Sequence, residues 1–108
     1  MKHDEFILQC DIVKALREKG WVVFSVPNER NSGIADSRRM KSAGLTKGAP
    51  DLVCWRTAWP ESVCFWLELK TPTGKRSKEQ ECFEDLAWTL GIHYRLVRSL
   101  YDIEDMLI

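Results

Sequence analysis

Two β-rich apolar segments that follow each other closely constrain the fold of this chain most. The first covers residues 51–55, and the second, 63–70, reads Val-Cys-Phe-Trp-Leu-Glu-Leu-Lys. A turn at 59–62 joins them, so the pair predicts a β-hairpin. In an antiparallel hairpin the start of the first strand lies beside the end of the second. We therefore expect Asp51 and Glu68 to lie close together at one end of a sheet.

The charged side chains that end the second segment share one face of the predicted strand. Because side chains alternate along a strand, Glu68 and Lys70 point one way while Leu67 and Leu69 point the other. With Asp51 beside them, the acids are suited to a divalent cation, and Lys70 is suited to the developing charge of a phosphate. The acid-x-Lys triplet occurs once in the chain. A solvated ion pair is the alternative that the triplet alone leaves open.

Basic residues collect on two segments that flank these acids, although the formal net charge is zero. Segment 29–48 has five basic and two acidic residues, and segment 70–78 has four basic residues and no acid. Such clusters favour a polyanionic partner, with solvated loops as the alternative. The residues expected to contact its phosphates are Arg30, Arg38, Arg39, Lys41, Lys47, Lys75, Arg76 and Lys78.

Length and composition favour one intracellular domain spanning residues 1–108. The chain is 44% apolar, without an apolar run of the roughly 20 residues that a membrane span needs. Its start does not have the pattern of a secretory signal. Four cysteines lack paired C-x-x-C spacing and have apolar neighbours, so we expect buried thiols rather than a zinc site. With two histidines in the whole chain, histidine-based catalysis is not indicated.

The remaining segments predict alternating helices and strands, in the order α-β-β-β-α-β-α. Periodicity indicates a helix over 5–19 that ends at Gly20, and a helix from Ser77 that ends at Gly91. Segment 28–50 has little periodicity and reads as a long functional or disordered loop. The other predicted elements are strands over 21–27 and 92–97 and a short helix over 101–108.

Two polar residues in the predicted helices have more than one interpretation. Glu5 lies on the apolar stripe of the first helix with Ile12 and Leu16. It is either an N-terminal residue favoured by the helix dipole whose head reaches water, or a third site carboxylate. Ser77 and Gln80 form an S-x-x-Q capping box, which gives Gln80 a structural role at the helix start.

The order of these motifs resembles the PD-(D/E)xK nuclease superfamily, and more closely its virus-type replication-repair nuclease (VRR-NUC) branch. The resemblance covers nearly the whole chain, and its stretch E-L-K-T-P-x-G-K-x-S-x-x-Q is specific. One departure is Ala49 before Pro50, where some members have serine or valine. The matching residues are Glu5 with Gln9, Val26-Pro27-Asn28-Glu29, Gly44, Gly48, Pro50-Asp51, residues 67–75, Ser77 with Gln80, Tyr94 and Val97-Arg98-Ser99.

The resemblance implies a restriction-endonuclease-like three-layer α/β core, a small mixed sheet flanked by helices. It implies Asp51, Glu68 and the Leu69 carbonyl as ligands of Mg²⁺ or Mn²⁺, with Glu5 as a direct or outer metal acid. Lys70 is then the catalytic lysine, and Gln80 positions groups in the site as well as capping its helix.

The implied activity is metal-dependent endonucleolytic cleavage of DNA. The implied substrate is branched DNA, cut by a homodimer that resembles Holliday-junction resolvases and acts in replication, recombination or repair. Trp55, Trp59 and Trp88 are interface candidates, although we expect at least two of them in the core. A duplex-nicking or restriction-like nuclease is one alternative. A DNA-binding module without activity is the other.

Overall fold

The computed structural model describes residues 3–27, 38–39, 41–58 and 60–108, and the order of its elements confirms the predicted α/β class. Across these ranges no helix is both long and apolar enough to cross a bilayer. The elements are helix α1 (His3–Glu18), strands β1 (Val22–Ser25), β2 (Leu52–Ala58) and β3 (Glu61–Leu69), helix α2 (Lys78–Leu90), strand β4 (His93–Val97) and a terminal 3₁₀ helix (Leu100–Leu107).

The sheet is mixed, as predicted, with its strands in the order β1-β2-β3-β4. The pairs β1–β2 and β2–β3 are antiparallel, and β3–β4 is parallel with α2 as its crossover. The hairpin is confirmed by the pairing of Leu52 with Leu67. Its strands run closer to the turn than predicted, because Thr57 pairs with Ser62 and the residue after it with Glu61. Polar residues there remain in the ladder, so periodicity alone ended the first strand too early and began the second too late.

One side of the sheet, here called the core face, packs against α1 and the 3₁₀ helix. The indole Nε1 of Trp21 donates to the Met106 carbonyl at 2.8 Å, which ties the 3₁₀ helix to the start of β1. The predicted terminal helix is therefore present, with 3₁₀ geometry. The strand residues of the core face are Val23, Leu52, Cys54, Leu67, Leu69 and Val97, and they meet Ile12 and Leu16 of α1.

The opposite side, called the second face, is covered less completely. Helix α2 packs beside β4 and brings Phe83 against Trp66, with ring centroids 6.2 Å apart. Trp55 on β2 is 45% exposed and Trp88 on α2 is 73% exposed. The expectation that two of the three candidate tryptophans lie in the core is therefore wrong, and Trp59 lies outside the described residues.

The cysteines correct another expectation, because two of the four are exposed. Cys54 is buried on the core face, and burial, helped by Cys64, raises its pKa to about 12. Cys64 is half-buried, and burial also raises its pKa. Cys10 and Cys82 lie on exposed sides of α1 and α2. Apolar neighbours in the sequence of a helix point in other directions, so they do not bury the residue between them.

Candidate active site

Asp51 lies immediately before β2, where main-chain hydrogen bonds fix its position. Its amide donates to the Leu67 carbonyl at 2.9 Å, and its carbonyl accepts from the Val26 amide at 3.0 Å. Its side-chain Oδ2 accepts from the Leu69 amide at 2.7 Å, and the residue is 5% exposed. The prediction that the hairpin brings Asp51 to the end of the second strand is confirmed. Its carboxylate is held against β3, next to Glu68.

Glu68 projects from the second face and is 1% exposed. The Arg76 Nε donates to both of its oxygens, at 3.1 and 3.2 Å, and the Tyr94 hydroxyl donates to Oε1 at 2.6 Å. A buried carboxylate is costly unless it is paired and hydrogen-bonded. Arg76, from the loop before α2, and Tyr94, from β4, provide this compensation.

Both partners of Glu68 are held in the protonated form. Burial raises the pKa of Tyr94, and the hydrogen bond to Glu68 raises it further. For Arg76 burial acts to lower the pKa, but hydrogen bonds to Glu68 and Glu84 outweigh it and the pKa is raised. Arg76 Nη1 lies 2.8 Å from Glu84 Oε1 on α2. The Glu68 carboxylate therefore faces a permanent cation and a permanent hydroxyl donor.

Lys70 follows β3 directly and continues its alternation, so it belongs to the second face with Glu68. The residue is 9% exposed, and its amide donates to the Val97 carbonyl at 3.0 Å. A Cβ at Gly74 would stand 3.1 Å from Thr71 Oγ1 and 3.4 Å from Lys70 Cδ. The missing side chain of Gly74 thus lets the loop after β3 pack directly on the lysine methylenes.

Arg98, which follows β4, holds the same loop from the other side. Its Nη1 donates to the carbonyls of Thr71 at 2.6 Å, Gly74 at 2.9 Å and Pro72 at 3.3 Å. Three main-chain acceptors on one guanidinium nitrogen restrain the segment that begins just after Lys70. The resemblance included Arg98 without giving it a role. In the structure, Arg98 supports the loop that follows Lys70.

Glu5 is buried in the first turn of α1, so its carboxylate does not reach water as one interpretation required. The start of α1 lines a cavity of about 310 Å³ together with Thr71 and Pro72. Because these residues directly follow Lys70, Glu5 enters the fold at the same end of β3 as the other candidate acids. Glu5 takes part in a polar or electrostatic interaction there.

Gln80 is buried, and the predicted capping box is confirmed. Its amide donates to Ser77 Oγ at 3.2 Å, and its Oε1 accepts from the Ser77 amide at 2.7 Å. A Cβ at Gly48, where φ is +85°, would stand 2.5 Å from the Glu79 carbonyl carbon. The loop that leads into Asp51 therefore touches the first turn of α2, and that contact positions Gln80 relative to Asp51.

The candidate metal ligands are oxygen donors, the type that Mg²⁺ and Mn²⁺ prefer. Within the described ranges, no three His, Cys, Asp or Glu side chains form a group that could hold a metal ion. Glu68 nevertheless binds a cation already, the Arg76 guanidinium. Glu68 is thus a buried carboxylate paired with a cation, and Asp51 and the Leu69 main chain lie next to it. These oxygen donors fit a hard divalent ion, which would replace the Arg76 guanidinium on Glu68.

The basic residues predicted to contact phosphate divide into three groups. Arg30 lies outside the described residues. Lys47 pairs with Glu79 at 3.7 Å, and Arg76 faces inward on Glu68. A hydrogen bond from the main chain of Glu79 lowers the pKa of its carboxyl, and the charge of Lys47 lowers it further. Exposed side chains belong to Lys47 and to the remaining residues, Arg38, Arg39, Lys41, Lys75 and Lys78.

Sequence reasoning missed Arg76 and Tyr94 as partners of a candidate acid. Tyr94 shares the second face with Glu68 because β4 pairs in parallel with β3 and Trp66 lies opposite Tyr94. That register is not visible in the sequence. For Arg76 a signal existed, since it is the last basic residue before the helix cap at Ser77 and follows the acid within one short loop.

Comparison with known proteins identifies the fold. No family model matches the chain, and no curated protein was found with significant similarity to it. A solved structure described as a VRR_NUC domain superimposes on it with a TM-score of 0.66, covering 95% of this chain and 92% of that one at 18% sequence identity. The arrangement of helices around the mixed sheet is therefore that of a VRR_NUC domain, consistent with the restriction-endonuclease-like core that the resemblance implied.

Proposed function

We propose that this chain is a metal-dependent endodeoxyribonuclease of the PD-(D/E)xK type that hydrolyses phosphodiester bonds. The observation that carries the proposal is the placement of Asp51, Glu68 and Lys70. They lie at one end of two hydrogen-bonded strands, in a chain with the fold of a VRR_NUC domain. Each is buried, and buried ionisable groups grouped at one sheet end are typical of catalytic sites.

In this proposal Asp51 and Glu68 hold Mg²⁺ or Mn²⁺ together with the Leu69 carbonyl and Glu5. The bound ion supplies Lewis-acid stabilisation of the phosphate and acidifies the attacking water. The Asp51 carboxylate is kept in place by the Leu69 amide. Lys70 orients or deprotonates the water, or neutralises the charge of the transition state. Gln80 positions the reacting groups from the start of α2.

We propose branched DNA as the substrate, with a role in replication, recombination or repair. The exposed basic residues on either side of the site support a DNA partner, because they can neutralise phosphates along a duplex arm. Reversing the charges of Arg38 and Arg39 should reduce the dependence of DNA affinity on salt. An unchanged salt slope would remove that segment from the interface.

We also propose that the chain acts as a homodimer, the simplest way for one small domain to cut two strands. An apolar patch on the second face supports this, since the exposed Val22, Phe24 and Trp55 are neighbours in the β1–β2 ladder. Trp55→Glu should convert a dimer to a monomer in light scattering, and Trp88→Glu on α2 tests the other exposed candidate in the same way. A wild-type monomer that still cuts junctions would refute the dimer.

The test of the activity is a cleavage panel. Four-way junction, flap, fork and linear duplex are incubated with Mg²⁺ or Mn²⁺ and compared between the wild type and Asp51→Ala, Glu68→Ala and Lys70→Ala. We expect cleavage by the wild type, with preference for junctions, and loss of cleavage in the variants while DNA binding persists. Cleavage by Lys70→Ala at the wild-type rate would overturn the assignment. DNA binding without cleavage in either metal would favour the binding-module alternative, and preference for linear duplex would favour the nicking alternative.

A further inference from the structure

The proposed metal ligand Glu68 is engaged by a positive side chain of the same protein. Arg76 places Nε within 3.2 Å of both carboxylate oxygens and Nη2 3.1 Å from Oε1. The pair is buried on the Glu68 side and one-fifth exposed on the Arg76 side. A divalent cation bound to the same two oxygens would stand close to the guanidinium, and like charges at such distances repel strongly in a buried site, so the two compete for Glu68.

The contact between Arg76 and Glu68 is not the strongest that these groups can make. The strong form is two parallel N–H···O bonds, one from each of two nitrogens. Here a single nitrogen, Nε, is divided between both oxygens. Nη2 is close enough for an ion pair, yet it is buried and forms no hydrogen bond with any described residue. This geometry leaves Arg76 less tightly bound to Glu68 than an ideal pair would be.

A second acid provides an alternative position for the guanidinium. Glu84, on α2, accepts from Arg76 Nη1 at 2.8 Å. Its side chain is one-third exposed, so a charge pair there costs less desolvation than one at Glu68. Arg76 can therefore leave Glu68 without losing all of its ionic partners.

We propose that Arg76 is a positioning residue that pairs with Glu68 in the absence of metal and moves toward Glu84 when the divalent cation binds. The inference rests on the proposed function, because it takes Glu68 as a metal ligand. Before the cation binds, Arg76 keeps the buried acid compensated and correctly placed. The metal affinity is lower by the free energy of displacing it.

The test is the affinity for Mn²⁺ alone, measured by calorimetric titration without DNA. Arg76→Gln removes the competing charge, so we expect it to bind Mn²⁺ about tenfold more tightly than the wild type, the size of effect typical of groups around metal ligands. Glu84→Gln removes the alternative partner, so it should bind severalfold more weakly. The matched control is Arg95→Gln, whose guanidinium pairs with Asp105, and its affinity should stay within about twofold of the wild type.

Opposite signs for Arg76→Gln and Glu84→Gln distinguish competition from simple loss of structure, which would weaken binding in both. If Arg76→Gln does not fold, weaker binding by folded Glu84→Gln supports the proposal, and unchanged binding by it overturns the proposal. Equal affinities for the wild type and Arg76→Gln would overturn the role of Arg76 while leaving the nuclease proposal intact. Tighter binding by Arg76→Gln without cleavage by the wild type would overturn the nuclease alone. No Mn²⁺ binding by either protein would overturn both.

Discussion

The two faces of the sheet use the same strands for different purposes. On the core face, Leu67 and Leu69 are completely buried against α1 and the 3₁₀ helix. One residue along, Glu68 is buried to the same extent on the second face, but among Arg76 and Tyr94. At this end of β3, burial therefore does not distinguish the two faces, whereas the chemistry of the buried groups does.

The difference between the faces indicates where stability comes from and where chemistry is concentrated. Apolar burial contributes about 25 cal/mol per Å² without a specific partner. A buried carboxylate, in contrast, needs specific partners to offset its lost hydration. The stability of the core face can thus tolerate small apolar changes. The buried charged groups of the second face, in contrast, depend on individual contacts. Variants on adjacent residues can separate these two behaviours.

The largest expected effect contrasts Leu67 with Glu68. Leu67→Ala should lower the free energy of unfolding by about 2–5 kcal/mol, because it leaves a cavity in the core. Glu68→Gln should change it by about 1 kcal/mol, since the amide still accepts hydrogen bonds and Arg76 keeps Glu84. Cleavage should fall by about 100-fold or more in Glu68→Gln and little in folded Leu67→Ala. Urea denaturation and cleavage rates on the same preparations measure both effects.

A reversed result for this adjacent pair would break the division between the faces. A Glu68→Gln protein that cuts DNA normally, but whose free energy of unfolding is several kcal/mol lower, would contradict that division. The temperature of the cleavage assay must lie well below the midpoint of Leu67→Ala unfolding, so that its rate reports folded protein.

An intermediate effect is expected at Gly48, where the loop before Asp51 touches α2. Gly48→Ala combines an unfavourable positive φ with a Cβ 2.5 Å from the Glu79 backbone, and should cost about 2 kcal/mol or more. Gly44→Ala is the matched control, since φ is +107° there but, among the residues the structure describes, no atom lies within 4 Å of the added Cβ. It should cost about 1 kcal/mol. Thermal or urea unfolding measures the difference, and equal costs would mean that the contact with α2 is unimportant.

The smallest effect is expected where charge lies at the margin of the core face. Arg95, with its guanidinium over the Phe65 ring, pairs with the exposed Asp105 and lowers the pKa of that carboxyl. A lowered folded-state pKa adds stability above the ordinary pKa of 3.8, and the gain is lost as pH falls through the folded-state value. Asp105→Asn should therefore cost less than about 1 kcal/mol at pH 7, and the difference should shrink in acid and vanish once the folded-state carboxyl is protonated. A large cost at pH 7, or one that persists in acid, would contradict this.

Much of the fold was predictable because its signals are local. Alternation in 63–70 placed Glu68 and Lys70 on one face, and a short turn predicted the hairpin that brings Asp51 to them. The capping box at Ser77 was also visible in four consecutive residues. These features depend on backbone geometry over short distances, which a sequence pattern records directly.

The environment of the acids was not predictable in the same way. The contact of Tyr94 with Glu68 requires the parallel register of β3 and β4, which depends on how α2 crosses the sheet. Arg76 was predicted to contact phosphate because its sequence neighbours are basic, but its guanidinium turns inward. The exposure of Trp88 likewise follows from how little of α2 the sheet covers, which a helical pattern does not reveal.

The hydrogen bond from the Trp21 indole to the Met106 carbonyl has a kinetic consequence. It joins residues 85 positions apart, so a loop of that length must close before it can form. Contacts of such long separation slow folding, because a large loop must close before they contribute. The β2–β3 hairpin closes a much shorter loop, so we expect it to form before the contact between Trp21 and the 3₁₀ helix. Weakening the contact between Trp21 and Met106 should thus speed unfolding more than it slows folding.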